Sequence, residues 1–172
     1  MMPKQIVFAM MTFLHNLFTV VWVGGLITLG ITVMPSAKKV LGKGKQTKEL
    51  MDAIQRRLSI LVYVSIVGLA LTGLLMANRS AQFQGLFSFA TTYSTVLSIK
   101  HILVLAMIAI ALTRSLVLGR RSGPPKPGEN PAQAQQQEKL KATLLLINIV
   151  LGVAVLLLSG FCTALSAGPP PA

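Results

Sequence analysis

His15-Asn-Leu-Phe-Thr-Val-Val-Trp22-Val-Gly-Gly25-Leu-Ile-Thr-Leu-Gly-Ile-Thr-Val-Met-Pro35 is the stretch that decides the fold. It carries no formal charge and belongs to an uncharged run from Gln5 to Ala37, long enough to cross a bilayer as a helix. A histidine inside such a run is costly in hydrocarbon and persists mainly where it faces a bundle interior, a cavity or a bound group. On a helix, Met11, His15, Phe18, Trp22 and Gly25 recur at steps of three or four and share a face, with Gly24 and Gly25 admitting a neighbouring backbone.

Further apolar runs follow at Leu58 to Asn78, at about Thr95 to Leu118 (interrupted by Lys100, His101 and Arg114) and from Ala142 onward. With hydrophobic residues at 53% and charged ones at 12% of 172 residues, the composition is that of a polytopic membrane protein. The expected architecture is all-α, a single membrane domain built as an up-down four-helix bundle. Its spans are expected at about 6–34, 58–77, 95–118 and 142–165, with connections at 35–57, 78–94 and 119–141. Pro35 and the lysines after it are expected to end the first helix, read as an uncleaved span. Ser65, Gly68 and Thr72 form a small-residue stripe suited to close helix packing.

The net charge of +12 is concentrated in two connections, Lys38 to Arg57 and Arg114 to Lys141. The positive-inside rule places both in the cytoplasm, with both termini and the Arg79 loop outside a cytoplasmic membrane. That bias accounts for the basic residues without nucleic acid, and the loops lack the interleaved aromatics of a nucleic-acid surface. The outer loop carries Phe83, Phe87, Phe89 and Tyr93 and is expected at the membrane interface. No carboxylate falls within a span, which argues against an acid-based proton relay. Nucleotide-binding, hydrolase and zinc-protease motifs are absent.

The chain has two histidines, both intramembrane. Counted from Lys38 and Arg120 at 1.5 Å per residue, His15 and His101 lie about 34 and 28 Å up their helices, roughly one turn apart. The first and third helices of an up-down bundle are diagonal partners, so the two imidazoles could supply both axial ligands of a haem b, with Trp22 and Gly73 beside it and Lys100 near a propionate. The plainer alternatives are a neutral, hydrogen-bonded histidine pair and a Lys100 that snorkels to the interface. Copper competes for the same place: Met11, His15, His101 and Cys162 form a soft donor set for Cu(I).

The pattern His15, six residues, Trp22-Val-Gly-Gly25 and a polar-poor run to Pro35, together with Leu71-Thr-Gly73 and Lys100-His101, resembles the copper-resistance protein D (CopD) type of membrane protein over about Leu14 to Leu118. A more distant resemblance is to HemJ-type protoporphyrinogen oxidases, in His15 and Lys100; the Tyr-Leu-Pro-Arg segment of that family is missing after Gly25. These readings imply, in order, a non-catalytic electron-transfer subunit of a redox complex in contact with lipid and a quinone, a copper-binding or copper-import protein, and a porphyrinogen oxidase. The topology has its own test. Cysteines introduced at Lys45 and Lys126 should be protected from an impermeant outside reagent and one at Gln82 labelled; the reverse pattern would put both histidines in the inner leaflet.

Overall fold

The computed structural model describes residues 3–42, 44–77, 85, 87–118 and 131–167. Arg79, Phe83, Lys126 and most of the connection after Leu118 lie outside the described residues. Among those described, four helices are long and apolar enough to cross a membrane: α1 over residues 3–41, α2 over Lys45–Ala77, α3 over residues 92–118 and α4 over Pro131–Ala167. The chain is an all-α polytopic membrane protein. The closest-packed pairs are α1 with α2 and α3 with α4, and the middle of α1 joins these two hairpins by packing on α4.

The first helix does not stop at Pro35. Proline lacks an N–H, and in a regular α-helix its ring presses on the carbonyl four residues back. Here the chain widens into π-helical turns at Val20–Gly24 and Thr28–Val33 before regaining α geometry over Met34–Leu41. The wide turn over Thr28–Val33 ends just before the proline and lets the helix run through it. Termination comes at Gly42, whose φ of 71° is left-handed, with Thr47 Oγ1 donating to the Gly42 carbonyl at 2.7 Å.

The fourth helix begins at Pro131, ahead of the apolar run. Hydropathy marks where a bilayer lies, whereas Ala, Gln, Glu and Lys are good helix formers in water. Pro131 suits a first helical turn, and Glu138 pairs with Lys141 at 3.3 Å along the polar extension. The third helix starts at Thr92, where Thr91 and Ser94 form a reciprocal capping box. Ser98, fully buried, donates to the Ser88 carbonyl at 2.8 Å and accepts from its N–H at 3.0 Å, folding the end of the outer loop back onto α3.

Trp22, Val23, Leu26 and Leu29 of α1 form the core with Met107 of α3 and Leu145, Ile149 and Val155 of α4. Outward-facing residues such as Val20, Ile60, Leu71 and Leu146 remain exposed, as expected where lipid is the solvent. Van der Waals fit must then hold the helices together, and small residues set the spacing. Gly68 faces the Phe18 ring so closely that an added Cβ would overlap it. Gly68→Ala should therefore lower the thermal unfolding midpoint in detergent, at a cost of about 1–3 kcal/mol. Gly160→Ala, whose Cβ would meet nothing within 4 Å, should not. The lone tryptophan, Trp22, reports both transitions by fluorescence.

Candidate functional site

The stripe of small residues on α2 is also where His15 finds its partner. The His15 Nδ1 lies 2.9 Å from Thr72 Oγ1, and the same hydroxyl lies 2.7 Å from the Gly68 carbonyl one turn back. A hydroxyl has one proton, and a carbonyl can only accept. Thr72 therefore donates to Gly68 and accepts from His15 Nδ1–H. In the neutral imidazole this donation puts the lone pair on Nε2, the arrangement by which outer partners orient a metal-binding histidine. Gly73 borders the ring: a Cβ there would lie 3.6 Å from His15 Cε1, an ordinary contact.

The local sequence explains each placement. Thr72 is buried, and a threonine on a helix readily turns its hydroxyl back to the carbonyl four residues earlier. Gly68 brings α1 and α2 close enough for Thr72 to reach across. Thr19 Oγ1 donates to the His15 carbonyl at 2.8 Å, just ahead of the first π-helical turn.

Lys100 on α3 and Cys162 on α4 complete this level. The Lys100 ammonium is within Coulombic reach of both His15 and Cys162. Cys162 is a free, buried thiol, and Lys100 is half-buried with no carboxylate paired to it among the described residues. Met11 lies one turn before His15 and is half-buried. Each of the four helices thus contributes a polar or soft side chain to the end remote from the basic connections.

His101 has an aromatic neighbour in Phe87. Successive helical residues point about 100° apart, so Lys100 and His101 address different surroundings. The His101 ring stands edge-on to Phe87, with centroids 6.5 Å apart and planes at 64°, while Ser98 holds the adjoining Ser88 in place. Among the described residues, no three His, Cys, Asp or Glu side chains converge as a metal-holding group. His15, His101 and Cys162 therefore do not form a preassembled three-donor cage. Trp22, expected beside the ligand, is 2% exposed and belongs to the core.

Two features escape a reading of the sequence. Thr72 looks like a packing residue, and only its distance from His15 reveals its role. Asn148 sits in the apolar run of α4 with no accessible surface, and its one signal is an amide at membrane depth.

No curated protein and no solved structure matches the chain. The copper resistance protein D family matches it over residues 52–162, which include Thr72, Gly73, Lys100, His101 and Cys162 and leave His15 and Trp22 outside. The match spans more than half of the chain, from the foot of α2 to near the end of α4, and the chain belongs to the CopD family.

Proposed function

We propose that this protein binds copper as Cu(I) within the membrane and handles it as cargo, with His15 Nε2 as the anchoring donor. The observation that carries the reading is the His15–Thr72–Gly68 hydrogen-bond relay, which engages Nδ1 and leaves Nε2 of the neutral imidazole as the free donor atom, in a chain of the copper-resistance family.

Cu(I) is soft and accepts few ligands, so sulfur and imidazole donors suit it. Met11 adds a thioether from the preceding turn of the same helix. Cys162 adds a thiol that binds a metal as thiolate and so offsets the positive charge of Lys100 beside it. An ion that must move on is held by few donors, and His15 and Met11 on successive turns of one helix with Cys162 would be such a set. With the basic connections in the cytoplasm, the His15 level faces the outer leaflet and would receive the ion from that side.

The test is anaerobic titration of the purified protein with Cu(I) against a competing chelator. The wild type should bind one copper, and His15→Ala should lose it. Thr72→Val keeps the shape but removes the relay, and should weaken binding roughly tenfold to a hundredfold, as outer-partner loss does elsewhere. Thr163→Val, at an exposed position, should change nothing. Protein purified with haem and without copper, showing a low-spin bis-imidazole spectrum abolished by His15→Ala and by His101→Ala, would overturn the copper reading in favour of an electron-transfer cytochrome.

A further inference from the structure

At the opposite end, toward the basic connections, residues of all four helices line a crevice of about 450 Å³. Its polar lining includes Asn148 of α4, Tyr63 and Arg56 of α2, and Arg114 of α3. Asn148 is fully buried, and neither its amide nitrogen nor its oxygen has a hydrogen-bond partner among the described residues; the buried Tyr63 hydroxyl has none either. Such a group is costly if left unsatisfied, most of all where no water reaches it. Arg114 lies near the end of a membrane span, and no carboxylate pairs with it among the described residues. A guanidinium at this depth calls for an anion, and its fork of donors fits phosphate oxygens.

We infer that this crevice is a binding site for the headgroup of an anionic, hydroxyl-bearing phospholipid, taken in sideways from the bilayer. Arg114 binds the phosphodiester, with the Tyr63 hydroxyl as a further donor. The Asn148 amide donates to a headgroup oxygen and accepts from a headgroup hydroxyl. Asp52 also lines the crevice and opposes an anion; Arg56, one turn further along α2, offsets it.

Two observations point to lipid rather than free phosphate. Ile60 lines the crevice yet is 63% exposed, so the mouth opens on the apolar outer surface of α2. The volume also exceeds what a phosphate ion fills, leaving room beside Leu58 and Ala111 for the start of the acyl chains. The π-helical turns of α3 at Thr113–Leu118 contain Arg114 and widen the helix where it meets the crevice.

The test uses the full chain, delipidated in detergent and offered phosphatidylglycerol, phosphatidylcholine or inorganic phosphate. Native mass spectrometry and thermal unfolding are the readouts. One retained phosphatidylglycerol is expected, preferred over phosphatidylcholine by about tenfold, with a matching rise in unfolding temperature; tenfold corresponds to about 1.4 kcal/mol. Arg114→Gln should abolish the preference. Asn148→Leu conserves shape and removes an unsatisfied amide, so the lipid-free protein should be at least as stable as wild type while its stabilisation by phosphatidylglycerol disappears. Equal retention of both lipids, or an unchanged preference in Arg114→Gln and Asn148→Leu, would overturn the site. Stabilisation by millimolar inorganic phosphate equal to that by phosphatidylglycerol would overturn its assignment to lipid.

Discussion

The hydrogen bond from His15 to Thr72 is the contact on which the first hairpin depends. Lipid offers no partner to a polar group, so an imidazole in α1 must be satisfied by another helix or leave the membrane. Thr72 can satisfy it only if α1 and α2 run close together, and that spacing is set one turn away, where Gly68 gives its side-chain volume to Phe18. Packing and chemistry are thus one requirement: a larger residue at Gly68 would part the helices and strand the histidine. Thr72 itself stays satisfied in either event through its bond to Gly68, so the histidine alone would bear the loss.

Most of the architecture was legible because the bilayer imposes it. Runs such as Leu58 to Asn78 have one stable outcome in hydrocarbon, and hydropathy finds it. The ends were less legible for the same reason. Pro35 marks a helix end only if the turns before it are regular, and the π-helical widening over Thr28–Val33 is set by packing that no local pattern displays. The Gln-rich segment before Ala142 reads as a loop to a hydropathy argument, although its residues favour helix in water.

The site divides along similar lines. His15, Lys100 and Cys162 could be chosen from the sequence because ionisable or soft residues stand out against an apolar background. His101 stands out equally, and its ring contact with Phe87 follows from how Ser98 folds the outer loop back onto α3. Depth along a helix can be counted from sequence. Azimuth cannot be counted so easily once π-helical turns change the number of residues per turn, as they do twice in α1 between His15 and its basic end.

The family match begins at Asp52 and so divides the protein's chemistry unequally. Thr72, Lys100 and Cys162 lie inside it, as do Asn148, Tyr63 and Arg114 of the crevice; the imidazole that Thr72 orients lies outside. The matched helices therefore bring the second half of the relay and both ends of the bundle, while α1 brings the donor atom. Trp22 lies between the two levels, its indole N–H buried and without a hydrogen-bond partner among the described residues, above Leu26 and Leu29, which line the crevice. The same helix carries His15 on one turn and lines the crevice with Leu26 and Leu29 on later turns. Between those turns it packs tightly against α4, where a Cβ on Gly152 would come within 3.1 Å of Val23 Cγ1, so close fit at the middle of α1 holds His15 and the crevice lining in a fixed register.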